Sequence, residues 1–356
     1  MSRYLDAKYQ PLVAYVPGEQ PRDMQYVKLN TNENPYPPAP GVIEAVQAEA
    51  GRLELYSDPV CADLRDALAG RYGVNRENVF VSNGSDDILN FAFMAFGGSG
   101  DRAYFPDISY GFYKVYAELF GHAYCQIPLR EDFSIDPTDY LALNGFIAIA
   151  NPNAPTGLAL SRAQIEDILQ SNPEHVVLID EAYVDFGAES CVELTAKYDN
   201  LLVVQTYSKS RSMAGARLGF AIANAALIAD LEKIKFSVNP YSVNRMTLAA
   251  GLATLKADEY CMENCRRVVE TRRKTVDRLR LLGFEVLDSR ANFVFARRPG
   301  SDGGWLYREL KARGVLVRHF DTPRIRDYLR ITVGTPAQMN VLFENLEEIT
   351  KQPITQ

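Results

Sequence analysis

The sequence predicts a doubly wound α/β fold: a large domain on a mostly parallel sheet, joined to a smaller α+β domain formed by the C-terminal part and an N-terminal arm. Three observations lead there. Short apolar runs and amphipathic stretches alternate from about residue 78 to 223. The runs are unbroken rather than apolar at every second residue, as in strands covered on both faces. Beyond residue 225 the character changes to a long helix-rich stretch followed by shorter strand-like segments.

Taken in order, the first 40 residues are rich in Pro and Tyr and lack a helical period, so they read as an arm that packs on something else. A helix is expected near 41–52, Asp58-Pro59 marks a break, and a second helix fits 60–72. Strands are expected at 78–82, 102–106, 123–128, 146–150, 175–180, 201–206 and 218–223, with helices at 85–96, 109–120 and 161–171. Helix dominates 225–282. Strand-like segments follow at 284–289, 292–298, 314–319 and 328–334, with helices near 303–313 and 336–351. The expected division is an arm at 1–40, a large domain at 41–265 and a small domain at 266–356.

A chain of 356 residues suits about two domains. Its net charge of −7 argues against a nucleic-acid or anionic-membrane surface, though a local cluster of arginines can still bind a small anion. No run reaches the ~18 apolar residues of a membrane helix, and Met-Ser-Arg-Tyr-Leu-Asp lacks the apolar stretch of a signal peptide. The expected location is the cytoplasm. The five cysteines (Cys61, Cys125, Cys191, Cys261, Cys265) are odd in number and mostly scattered, and there are three histidines. Reduced thiols, and no metal site, are expected.

Four segments fall at the C-terminal ends of expected strands, where open α/β sheets bind ligands: Ser82–Asp86, Asn151–Gly157, Asp180–Tyr183 and Ser208-Lys209. Gly84-Ser85-Asp86 turns from a strand into a helix, whose free N–H groups suit a phosphate; the same turn serves equally as a plain N-cap. A carboxylate at Asp180 suits an ion pair with a pyridinium N–H, or a strand-end cap. Lys209 becomes a nucleophile if partly buried near cations, and Arg211 and Arg217 are close in sequence; a solvated surface lysine is the alternative. Arg217 lies among small residues, where a guanidinium can grip a phosphate through two bonds.

Together and in this order, these segments resemble the class I/II, fold-type-I aminotransferases that depend on pyridoxal 5′-phosphate (PLP). The matching pieces are Asn151-Pro-Asn-Ala-Pro-Thr-Gly157, Asp180-Glu-Ala-Tyr183, Ser208-Lys-Ser-Arg-Ser-Met-Ala-Gly-Ala-Arg-Leu-Gly-Phe220 and Leu329-Arg-Ile-Thr-Val-Gly-Thr335. Tyr15-Val-Pro-Gly-Glu19, Leu29-Asn-Thr-Asn-Glu-Asn-Pro-Tyr36 and Ser82-Asn-Gly-Ser-Asp-Asp87 are similar to the histidinol-phosphate aminotransferase branch. The resemblance spans residues 9–350.

It implies that Lys209 carries PLP covalently and shuttles the proton, that Asp180 pairs with the pyridine nitrogen, that Tyr183 hydrogen-bonds the phenolic oxygen O3′, and that Tyr110 stacks on the ring. Backbone amides of Gly84, Ser85 and Asp86, with Ser208 and Arg217, would hold the cofactor phosphate. Tyr56 would reach the phosphate in the other subunit of a homodimer. Arg330 would bind a carboxylate, and Tyr15 and Arg318 the distal phosphate of the substrate. The implied reaction is transamination from L-histidinol phosphate to 2-oxoglutarate, in histidine biosynthesis. An aromatic amino acid aminotransferase and a threonine-phosphate decarboxylase are the alternatives. One position departs from the family, which usually has Asn where this chain has Ala154. Asn153 is expected to take over its contact with O3′, unless Tyr183 serves alone.

Overall fold

The computed structural model describes residues 2–351. Its strands in chain order are β1 (Val27–Lys28), β2 (Val79–Ser82), β3 (Ala103–Pro106), β4 (Tyr124–Ile127), β5 (Ile147–Ala150), β6 (Val177–Asp180), β7 (Leu201–Thr206), β8 (Gly219–Ala223), β9 (Glu285–Val286), β10 (Phe293–Arg297), β11 (Val315–Leu316), β12 (Arg318–His319) and β13 (Tyr328–Thr332). The helices are α1 (Val42–Ala50), α2 (Ala62–Tyr72), α3 (Ser85–Phe96), α4 (Phe112–Phe120), α5 (Arg162–Ser171), α6 (Ala225–Val238), α7 (Arg245–Lys256), α8 (Asp258–Leu281), α9 (Gly303–Ala312) and α10 (Pro336–Lys351).

β2 to β8 form one seven-stranded sheet in the order β2-β8-β7-β6-β5-β3-β4. Only β8 runs against its neighbours. Every residue of β2, β5, β6, β7 and β8 is buried, which explains the unbroken apolar runs. Successive side chains go to opposite faces. Ile147, Ile149, Val177, Ile179, Leu201 and Val203 pack in one core layer, while Ala148, Leu178, Leu202 and Val204 pack in the other.

A second sheet, β12-β13-β10-β9, is antiparallel, and a third core surrounds it, built from residues such as Val294, Leu329, Ile331 and Leu342. Two segments differ from expectation there. Residues 284–289 keep only the two ladder residues of β9. The run 314–319 divides, because β11 pairs in parallel with β1 of the arm whereas β12 pairs with β13. Leu29 of the arm joins the same core. The helix-rich stretch is three helices: Asn239-Pro240 follows α6, where proline cannot continue the ladder. α8 runs without interruption through residue 265, from Cys261 in one core of the large sheet to Leu279 in the third core. Among the described residues no helix is long and apolar enough to cross a membrane.

The register brings the site together. Ala150 pairs with Asp180 and Asp180 with Val204 at the C-terminal ends of β5, β6 and β7. Gly219, the first residue of β8, pairs with both Ser82 and Thr206. The turns after β2, β6 and β7 and the turn before β8 therefore meet at one edge.

Candidate active site

Four chemically different groups converge on that edge. Lys209, Asp180, Tyr183 and Arg217 line one cavity, together with Ser85, Asp86, Tyr110 and Ser208. Lys209 follows β7 and is half-buried; its Nζ donates to the Thr31 carbonyl at 3.1 Å and lies 5.8 Å from the centre of the Tyr183 ring.

Asp180 closes β6 and is 5% exposed. Its carboxylate accepts from the Tyr113 hydroxyl and the Ala182 N–H, each at 3.1 Å. Burial raises its pKa to about 6 in spite of these donors. A buried carboxylate with that much desolvation is suited to a cationic partner entering the cavity.

The opposite wall is an anion cradle. α3 begins at Ser85, and its N-cap Gly84 sits at φ 84, where a side chain is strained. A Cβ on Gly84 would come within 2.7 Å of Arg217 Nη2, and one on Gly219 within 2.5 Å of Ser85 N. Only glycines let the helix start, the guanidinium and the β8 backbone approach so closely. Arg217 itself sits at φ 55, a conformation uncommon outside glycine, and its Nη1 donates to Ser208 Oγ at 3.3 Å. The Asp86 side chain, for which the sequence suggested only a backbone role, accepts from Arg217 Nη2 at 2.7 Å and from the Tyr110 hydroxyl at 2.6 Å.

A larger cavity adjoins this one and shares Lys209, Tyr110 and Tyr183 with it. Tyr15, Arg318 and Arg330 line it. Arg330 Nη2 donates to the Asn30 carbonyl at 2.9 Å, while its Nε is buried without a partner. Burial pulls its pKa below the ordinary guanidinium value. Arg318 donates to the carbonyls of Pro17 and Val16, each at 3.2 Å. Among the described residues neither arginine has a carboxylate within salt-bridge distance. Tyr15 stacks on Phe112, with ring centres 4.3 Å apart.

Two expected residues are not brought in. Asn153 is 1% exposed and faces away: its Nδ2 donates to Ile108 O at 3.0 Å and Thr156 Oγ1 at 3.1 Å, and its Oδ1 accepts from Ser109 Oγ at 2.7 Å. Its amide is fully used in holding two loops together, and Ala154 lines the cavity instead. Asn153 therefore does not replace the missing asparagine. Tyr56 is 80% exposed and stacks on Tyr241 at 4.5 Å, outside both cavities of its own chain. Two residues went unassigned in the sequence. Tyr113 lies one turn past Tyr110, a spacing that signals a shared face, and Asn32 lies inside the Leu29–Tyr36 motif.

Residues 24–346 match the family described as aminotransferase class I and II. The chain belongs to the class I and II aminotransferases. This aminotransferase is 48% identical over 353 residues to a histidinol-phosphate aminotransferase of Brachyspira hyodysenteriae, covering 99% of this chain and 100% of the relative. It is 49% identical over 350 residues to a histidinol-phosphate aminotransferase of Acinetobacter baumannii, covering 97% of each. The crystal structure of histidinol-phosphate aminotransferase from Sinorhizobium meliloti in complex with pyridoxal-5′-phosphate has the same fold, at TM-score 0.84 and 23% identity over 92% of each chain.

The aminotransferase is a PLP-dependent enzyme, and its donor set fits that cofactor. The cavity offers an amine, a buried carboxylate, a phenol hydroxyl and a cradle of helix N-terminus, hydroxyl and guanidinium. These match an aldehyde, a pyridinium nitrogen, a phenolate and a phosphate.

Proposed function

We propose that this aminotransferase moves the amino group of L-histidinol phosphate to 2-oxoglutarate, forming imidazole acetol phosphate and L-glutamate, as a step of histidine biosynthesis. The observation that carries this reading is the pair of guanidinium groups, Arg318 and Arg330, that face one cavity beside Lys209 and have no carboxylate partner among the described residues. Two half-buried cations lining one cavity call for anionic substrates. Histidinol phosphate brings a phosphate and 2-oxoglutarate two carboxylates, and a guanidinium grips either anion through paired hydrogen bonds.

Bound PLP supplies an electrophilic carbonyl and an electron sink. The chain does the rest. Lys209 holds the cofactor and moves the proton at the amine-bearing carbon. Asp180 keeps the pyridine nitrogen protonated, and Tyr113 and the Ala182 N–H keep Asp180 charged. Gly84, Ser85, Asp86, Ser208 and Arg217 hold the phosphate, Tyr110 covers the ring and Tyr183 donates to O3′. Arg330 takes a substrate carboxylate. Arg318 and Tyr15 take the distal phosphate, and the Arg318 bonds to the arm keep that wall in place.

The reading extends to assembly and location. Tyr56 is exposed and lines neither cavity of its own chain, so a C₂ homodimer that carries it to the other subunit's phosphate gives it a role. Lys209 and Asp180 come from the part at 41–265, while Arg318 and Arg330 come from 266–356. Free thiols suit a reducing cytoplasm. An amino-donor screen with 2-oxoglutarate tests the substrate. Histidinol phosphate should exceed phenylalanine, tyrosine and histidinol in kcat/KM. Equal rates on phenylalanine would replace this reading by an aromatic aminotransferase, and release of carbon dioxide by a decarboxylase.

A further inference from the structure

Asn32 lines the larger cavity, is 1% exposed, and sits at φ 58, a conformation that asparagine tolerates better than most residues. Its Nδ2 lies 3.0 Å from the Tyr183 hydroxyl. The direction of that hydrogen bond follows from the groups behind it. The Thr332 hydroxyl is 3.0 Å from the Asn32 backbone N–H, which can only donate, so the hydroxyl accepts there. Thr332 is 3% exposed, and among the described residues Asn32 Oδ1, also at 3.0 Å, is the one acceptor its proton meets, so the hydroxyl donates there. With its oxygen taken by Thr332, the amide presents its NH₂ end to Tyr183. Asn292 fixes the backbone of the same residue by donating from Nδ2 to the Asn32 carbonyl at 2.9 Å.

Tyr183 must therefore accept from Asn32. Its own phenolic proton is left over, and among the described residues no acceptor takes it. Ala154 on the adjoining wall has no polar side chain that could do so. The Tyr183 ring is held at right angles to Phe293, at an interplanar angle of 89° and 5.1 Å between centres, so the hydroxyl has a fixed place from which to donate.

We infer that Asn32 is a positioning residue: held by Thr332 and Asn292, it forces Tyr183 to act as a hydrogen-bond donor into the cofactor cavity. A hydroxyl that accepts a bond is polarised and donates more strongly. The consequence rests on the proposed contact of Tyr183 with the phenolic oxygen of PLP. A donor there stabilises the deprotonated form of the lysine-bound chromophore, so losing it raises the pH midpoint of its visible absorption.

The test is a spectrophotometric pH titration of the purified holoenzyme. Asn32→Gly removes the amide while accommodating the positive φ, and should raise the midpoint by about half to one pH unit, the equivalent of one ordinary hydrogen bond. Asn32→Asp keeps the shape but puts an acceptor against Tyr183, reversing the bond, and should raise it further. Tyr183→Phe should raise it at least as much as Asn32→Gly. In the Tyr183→Phe background, Asn32→Gly should add less than about 0.2 unit, since a residue that acts through Tyr183 has nothing left to act on. A shifted Tyr183→Phe with an unshifted Asn32→Gly, even one that melts earlier, would overturn the inference alone. An unshifted Tyr183→Phe would overturn both the contact assigned to Tyr183 and the inference built on it.

Discussion

Replacing Asp180 by Asn should make the cofactor-free protein more stable while abolishing its activity. Burial raises the carboxyl from 3.8 to about 6. At about 1.36 kcal/mol per unit, those roughly 2 units amount to about 3 kcal/mol of unfavourable free energy in the folded state. The sign follows from which state holds the proton. Above about pH 6 both folded and unfolded forms are ionised, and the folded one bears the whole desolvation cost. Below the ordinary value of 3.8 both are protonated and the cost vanishes. An asparagine carries no charge at any pH. It can satisfy either Tyr113 or Ala182 through its oxygen, and the rotatable Tyr113 hydroxyl can turn to accept from its NH₂. That leaves roughly 1 kcal/mol lost at most. The net gain is about 2 kcal/mol near pH 8, shrinking towards zero as the pH falls to about 4. Urea unfolding of both apoproteins across that range measures it, with m-values compared to check that the same surface is exposed. Saturating PLP should reverse the order, because only the wild-type carboxylate pairs with the pyridinium. A variant no more stable than wild type near pH 8, or an advantage undiminished at pH 4, would refute the reasoning.

Three further outcomes follow from the site. Lys209→Ala should lose turnover and the borohydride-fixable visible absorption, yet still bind PLP through the Arg217 cradle and Asp180; normal turnover would remove Lys209 from its role. Arg318→Ala should weaken phosphorylated and dicarboxylate substrates about ten- to a hundredfold while leaving phenylalanine turnover nearly unchanged, on the scale of one charge-assisted contact; kcat/KM for both donors measures it, and equal losses would contradict a distal anion pocket. Inactive Tyr56→Ala and Lys209→Ala proteins, mixed and re-equilibrated, should regain part of the activity through heterodimers with one intact site; an active monomer by sedimentation would contradict shared sites.

The large sheet was legible because β5 to β8 are buried on both faces and leave unbroken apolar runs. The small sheet was less so. Whether Val315 and Arg318 share a strand depends on partners nearly 300 residues away for β11 and ten or more away for β12, and no local period records that. The residues expected at the large-sheet edge come together in one cavity because the turns at that end of β2, β6, β7 and β8 share one edge by topology. Asn153 was misassigned because spacing alone does not say which of two adjacent side chains faces a cavity. With Ala154 facing in, Asn153 turns towards Ile108. Tyr113 carries no charge, and Asn32 is one of three asparagines in the Leu29–Tyr36 motif with nothing local to single it out; their importance lies in hydrogen-bond direction, which only coordinates reveal.

The arm reaches the site largely through its backbone. The carbonyls of Val16 and Pro17 hold Arg318, that of Asn30 holds Arg330 and that of Thr31 holds Lys209. Every residue type supplies the same carbonyl, so these four contacts, unlike those of the Tyr15 and Asn32 side chains, depend on where the chain runs. Alanine scanning of Val16, Pro17 and Thr31 would pass over them almost silently. A one-residue deletion between Gly18 and Leu29 would shift the acceptors at Val16 and Pro17 relative to those at Asn30 and Thr31, which β1 anchors through its pairing with β11. For these backbone contacts the length of the stretch matters more than the side chains at Val16 and Pro17, whereas Glu19, paired with Lys311, and Leu29, in the third core, fix the stretch through their side chains.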